Sequence, residues 1–296
     1  MAWGGAEKRV GRGMRIRTAA VLAMVSGALV SVVACGAEVP EGLVVTGSSP
    51  AVPYRGPLKT KAPDIDGDED NVQGGGASVL ALECAGKPYQ GGGGDDGWGA
   101  SDGADSPDEA LNALVADEFS RSLPRRGFRV EREAGRRVLY SYDVGGRTRV
   151  AVIVAKDLPH RPGWGLETYA QCDPSEFARR DRAHLDVRVW EDRQGRPVPA
   201  SEIFSASGPE HCDWQSAEFL HLGDRQYLRD PEHALPRELL HSSYAERTRL
   251  PDGATDTGYR DGRRRLWLSA DRSDAYVRTG GVVERWPGAI EPIGCK

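Results

Sequence analysis

The sequence predicts an α+β N-terminal domain, one helix on an antiparallel sheet, over residues 78–180. A mostly-β domain, barrel-like or sandwich, follows over residues 185–296. Three observations predict this. The first part holds one well-capped helical stretch and then alternating apolar and polar runs. The second is a series of short strand-like runs cut by Gly- and Asp-bearing turns, with "ALPRELLHSS" as its only helical candidate. Four cysteines fall two and two across the boundary, Cys84 with Cys172 and Cys212 with Cys295.

The chain begins with a basic segment (Lys8, Arg9, Arg12, Arg15, Arg17) followed by "TAAVLAMVSGALVSVVA", 17 uncharged residues ending at Ala34. The run is near the shortest length that spans a bilayer, and its basic flank and final small residue fit an export signal better. The motif "VVACG" around Cys35 resembles the lipobox of bacterial lipoproteins. That resemblance implies a lipoprotein signal peptide over 1–34, acylation of Cys35, and a mature chain held by lipid on the outer face of the cell membrane. Several tens of buried methylenes, each worth about 0.8 kcal/mol, would make a firm anchor. Removing residues 1–34 takes away five cations and Glu7, so the net charge of -5 becomes -9. A chain of that sign has no electrostatic footprint for nucleic acid. The excess of arginine over lysine is read as composition rather than as an anion site.

Residues 35–77 mix Pro, Gly and acidic side chains without apolar periodicity, which predicts a disordered tether. Within it Asp64, Asp66 and Asp68 mimic the opening of a calcium loop. Glu69 stands where that loop needs glycine and Gly75 where it needs glutamate, so no metal is expected.

In the first domain "SVLALEC" alternates as a strand, placing Leu80, Leu82 and Cys84 on one face. The glycine-rich stretch that follows lacks the Lys-Ser/Thr ending of a phosphate loop and reads as a plain loop. Ser106, Pro107 and Glu109 then form a capping box with proline at the first helical position, and Leu111, Leu114, Val115 and Phe119 make the apolar stripe. "GFRVERE", "RVLYSYDV", "TRVAVIVAKD" and "GWGLETYAQC" read as further strands. Gly145 and Gly146 form a two-residue hairpin turn, and "TRVAVIVAKD", apolar on both faces, is the central strand. If the first and last strands are neighbours, Cys84 and Cys172 can join.

In the second domain "LDVRVWED", "SAEFLHLG", "RQYLRD", "RRLWLSA", "AYVRT" and "VVERW" are the predicted strands, and Cys212 is placed on an early one. An oxidising compartment and an even cysteine count outside Cys35 predict two disulfides. Four cysteines allow three pairings, and the domain division selects Cys84 with Cys172 and Cys212 with Cys295.

The stretches "CDWQSAEFLHLGDRQYLRDP" and "ATDTGYRDGRRRLWLSADRSDAYVR", with a terminal "GC", resemble the membrane-bound C-type lysozyme inhibitor family. The likeness covers about 85 residues, from His211 to Cys295, and none of the first domain. It implies a small barrel closed by a late cysteine and partner-binding residues around Thr255, Tyr259, Trp267, Ser269 and Arg272. The family presents a serine and a lysine to acidic groups of its target. Here Thr255 keeps the hydroxyl, Ser269 replaces the lysine, and Arg272 is the nearby cation.

"GPEHCDWQS" raises the alternative of a thiol or metal-dependent hydrolase around His211 and Cys212. Adjacent residues on a strand face opposite ways and cannot form a thiolate–imidazole pair. The remaining histidines, His160, His184, His221, His233 and His241, show no metal-ligand spacing. The sequence therefore predicts a non-catalytic binding or inhibitor-like module, without cofactor, acting on an unknown protein or envelope partner. A scaffold lipoprotein within a larger envelope complex is the other alternative.

Overall fold

The computed structural model of the chain describes Val45 and residues 52–60, 74–93, 103–116, 122–158, 161–183 and 185–294. The expected signal segment, Cys35, the Asp64–Asp68 run, Phe119, His160, His184 and Cys295 lie outside the described residues. The architecture is mostly antiparallel β-sheet, in three sheets, with short helices.

The first sheet has five antiparallel strands. They are β1 (Pro88–Gly93), β2 (Arg129–Ala134), β3 (Arg137–Val144), β4 (Arg147–Leu158) and β5 (Arg161–Cys172), in the order β1-β5-β4-β3-β2. β4 is central, and Thr148 through Ala155 are all buried, because both of its faces are covered. One face carries α2 (Pro107–Ala116), whose Ala110, Leu111 and Val115 pack on Val138, Tyr140, Val150, Val152 and Val154. The capping box forms as the sequence predicts: the Glu109 amide donates to Ser106 Oγ at 3.2 Å, and the Ser106 amide donates to Glu109 Oε2 at 3.2 Å.

The other face carries α1 (Gly76–Ala81), which corrects the reading of "SVLALEC" as a strand. Ala77, Ser78 and Ala81 are the buried residues of α1, while Leu80 is left 55% exposed. The small side chains allow the helix to lie close to the sheet. A Cβ on Gly75 would come 2.9 Å from the Tyr169 carbonyl oxygen, and Ser78 Oγ donates to the Thr168 carbonyl at 2.9 Å. Residues 52–60, inside the stretch expected to be a tether, run over this same face. Leu58 is buried beside Leu139 and Ile153, the Tyr54 amide donates to Glu131, and Arg132 donates to the carbonyls of Tyr54 and Gly56.

β1 is formed from part of the glycine-rich stretch read as a loop. It survives at the sheet edge because Tyr169 of β5 covers it: a Cβ on Gly92 would lie 3.1 Å from that ring. Cys84, beyond α1, reaches Cys172 at the end of β5, with Cα atoms 5.3 Å apart in a disulfide.

A 3-10 turn at Pro174–Glu176 and α3 (Arg179–Arg182) lead onward. The second sheet is β6 (Val187–Val189), β7 (Ile203–Ser207), β8 (Glu218–Leu222) and β9 (Arg225–Arg229), in sequential order. The third is β10 (Thr255–Asp261), β11 (Arg264–Leu268), β12 (Asp274–Thr279) and β13 (Val282–Pro287), also sequential. Between them lie Trp190, Ile203, Leu220 and Tyr227 from one side and Leu266, Leu268, Ala275, Val277 and Trp286 from the other.

The barrel expectation is corrected. The two sheets stay open and touch at their edges through isolated bridges, Glu191 with Arg260 and Tyr227 with Gly288, rather than through a continuous ladder. β6, only three residues long, is too short to carry such a ladder. The helix expected at "ALPRELLHSS" is a single 3-10 turn, Arg237–Leu239. After it Leu240 turns extended, and the His241 amide donates to the Gly288 carbonyl.

Contacts also run from the first sheet to the later ones. Asp173 accepts the Ala200 amide, Arg179 pairs with Glu191, and the Tyr89 ring meets Phe204 edge-on at 6.3 Å. Phe204 in turn stacks on His221 at 4.3 Å. Burial there pushes the imidazole down to about 4 and, with the Asp173 charge adding to it, the Tyr89 phenol up to about 12.

Candidate functional site

The irregular strand β10 builds the site. Its register with β11 shifts between Asp256 and Arg260, where Gly258 takes φ +83 and its amide donates to Asp256 Oδ1 at 2.8 Å. Thr257 folds back within this bulge, donating from its hydroxyl to the Leu266 carbonyl at 2.8 Å and accepting the Tyr259 amide at 3.1 Å. The bulge leaves a groove of about 360 Å³ between β10 and the turn after β11. Leu222 and Leu268 give it apolar walls, and Thr255, Thr257, Tyr259, Ser269 and Arg272 supply polar groups.

Four of the five residues singled out by sequence, Thr255, Tyr259, Ser269 and Arg272, therefore line one groove. Trp267 does not. It sits between Leu266 and Leu268, which point into the core, and strand alternation turns it to the other face, opposite Asp256 and Tyr276.

The four differ in what they can offer. Ser269 is engaged within its own turn: its hydroxyl lies 2.7 Å from Asp271 Oδ1, and it accepts the Asp274 amide at 3.0 Å. The Ser269 hydroxyl first, and then the Ser273 amide and hydroxyl, donate to the Asp271 carboxyl and hold it down at about 2. Tyr259 donates to the Glu202 carboxylate, and burial, with that bond, pushes its phenol up to about 12. Arg272 sits at φ +60 at the tip of the turn, with its carbonyl accepting Tyr227 Oη at 3.0 Å and Arg225 Nη1 at 3.2 Å. The backbone of Arg272 is thus fixed, while its guanidinium forms no ion pair among the described residues. The result is a cation on a fixed backbone and a hydroxyl, Thr255, without a hydrogen-bond partner among the described residues, beside apolar walls, suited to an acid-bearing group of a partner.

Sequence reasoning missed Leu222, which arrives from β8 and has no local signal, and Thr257, which lay unremarked inside the quoted stretch. The opening motif falls elsewhere. Glu210–Cys212 is a 3-10 turn rather than a strand, closed by Asp213 at φ +58, and His211 is exposed on it. Cys212 is disulfide-bonded, so it has no thiol to act as nucleophile. Cys84 and Cys172 hold each other, which puts the partner of Cys212 outside the described residues. Among the described residues the one three-donor group of metal-ligating type is Cys84, Cys172 and Glu176, and its two sulfurs are joined to each other. No described helix is long and apolar enough to cross a membrane. The chain matches no protein-family profile, no curated protein and no solved structure.

Proposed function

We propose that this chain is a lipid-anchored, extracytoplasmic binding protein without catalytic activity, which receives an acidic segment of a protein or envelope partner in the β10–β11 groove. The observation that carries the reading is the convergence of Thr255, Tyr259 and Arg272 on one groove, where Arg272 forms no ion pair among the described residues. In this reading Cys35 carries the lipid and Cys212 pairs with Cys295. The trapped sulfur of Cys212 supports a binding role over a thiol hydrolase.

The test is photo-crosslinking in intact cells, with a photoreactive side chain at position 255 of the full chain. The expected result is one discrete adduct that disappears with Arg272→Glu. An adduct pattern at position 255 indistinguishable from that at exposed Val282 removes the groove from consideration.

A further inference from the structure

A second groove, of about 520 Å³, opens between α3, β6 and the β10–β11 turn, on residues that the binding reading leaves unused. Arg179, Arg182 and Arg188 line it together with Glu191, Asp261 and Ser207. Asp186 also borders it and is itself engaged by a neighbour.

The groove is lined by as many carboxylates as guanidinium groups, Asp186, Glu191 and Asp261 against Arg179, Arg182 and Arg188, but the pairing among them is uneven. Each of three carboxylates is shared by two guanidinium groups. Glu191 lies between Arg179 and Arg260, the latter at 3.5 Å. Glu218 lies between Arg264 at 2.7 Å and Arg188 at 3.7 Å. Asp261 lies between Arg188 at 3.7 Å and Arg264 at 3.9 Å. Burial raises the Asp261 carboxyl above its ordinary range despite the lowering by Arg264 and Arg188.

Arg182 feels the charges of Glu191 and Arg179 in this network but is less fully paired than they are. Its Nε is buried without a hydrogen-bond partner, and its guanidinium makes no ion pair among the described residues. Burial, the largest influence on it, lowers its affinity for its proton, which marks a charge removed from water without full compensation. Arg188 is engaged only at long range and remains 57% exposed. Desolvating a charged group without giving it an acceptor is costly, and a planar guanidinium fork is satisfied best by two oxygens of one carboxylate or phosphate. The volume lies within the range of small-ligand pockets.

We propose that this groove is an oxyanion site, taking the phosphate or carboxylate group of a small ligand between Arg182 and Arg188, with the Ser207 hydroxyl as a further donor. The ligand gives the Arg182 guanidinium an oxyanion partner and gives Arg188 a closer one than its carboxylates at 3.7 Å.

Calorimetric titration of the full chain with sodium phosphate and with sodium succinate, at low and at moderate salt, tests this. Saturable one-to-one binding of either is expected, weakened by salt and by at least tenfold in Arg182→Gln and in Arg188→Gln. Arg265→Gln, an exposed arginine on β11 away from the groove, leaves binding unchanged. Binding of phosphate alone assigns a phosphorylated ligand, binding of succinate alone a carboxylated one, and binding of both a general oxyanion site. Should Arg182→Gln fail to fold, the Nε–H resonance of Arg182 in the unaltered chain decides, since it must shift and saturate with the titration. Absence of saturable binding by both probes, or binding that survives Arg182→Gln, overturns the proposal.

Discussion

Asp173 follows directly on the disulfide cysteine Cys172 and is 7% exposed. Oδ1 accepts the Ser175 amide at 2.8 Å, capping the 3-10 turn, and Oδ2 accepts the Ala200 amide at 2.8 Å across 27 positions of sequence. Ala200 is itself 5% exposed, so water cannot replace the carboxylate there. Asp173→Ala removes a cap worth about 1 kcal/mol. It also strands a buried amide donor, at about 1–3 kcal/mol. The expected loss is about 3 kcal/mol. Asp173→Asn keeps one acceptor oxygen and turns a donor toward the other amide, so its loss should be smaller, about 2 kcal/mol. Urea unfolding of the full chain measures both, with an unchanged slope showing that the denatured state is not altered. In the same variants the Tyr89 phenol should titrate lower than its value of about 12, because Asp173 adds to the burial that raises it. A loss below about 1 kcal/mol in Asp173→Ala would refute the view that this carboxylate ties the first sheet to the loop before β7.

Reducing the Cys84–Cys172 bond opens a loop of sequence separation 88, and the chain-entropy account then predicts a loss of about 4–5 kcal/mol. Thermal unfolding with and without reductant, set beside the Cys84→Ala/Cys172→Ala pair, checks it; an unmoved midpoint would mean that other contacts already close this loop in the unfolded chain. His221 gives a pH dependence. Its folded value, about 4, lies below the ordinary 6.5, so between these the unfolded chain binds more protons. Its contribution is complete above about pH 6.5 and is lost as pH falls through about 4, amounting to as much as about 3 kcal/mol. Denaturation midpoints from pH 7 to pH 4 should show this slope, and His221→Phe, which keeps a ring against Phe204, should flatten it.

The parts legible in sequence are those whose signal is local. The capping box at Ser106 and Glu109 names both its partners within four residues, and the doubly apolar "TRVAVIVAKD" can only be a covered strand. Alternation failed at "SVLALEC" because the residues that matter there are small, and small residues carry little apolar contrast. Ala77 and Ser78 are chosen for close approach to β5, which is a property of the sheet and not of the segment. β1 was hidden for a related reason: glycine is a poor strand former, and what makes it one here is the ring of Tyr169, far along the chain. The groove was half legible. Thr255, Tyr259 and Arg272 stood out through a resemblance, whereas its wall at Leu222 depends on how two sheets face each other. The same resemblance names Trp267, and strand alternation sends it the other way.

The two later sheets meet at their edges through single bridges, and this shapes how the molecule moves. A continuous ladder opens only by breaking many hydrogen bonds together, while these seams have few to break, and what holds the two sheets is the side-chain core between them. Amide exchange should therefore divide this region into two protected blocks, β7–β8 and β11–β12, with faster exchange along both seams. The seam at Glu191 and Arg260 runs along the rim of the arginine groove, so two halves of that rim ride on different blocks. Glu191, clasped by Arg179 from one side and Arg260 from the other, ties α3 to β10 across that rim, so its replacement by glutamine should quicken exchange on both sides of it.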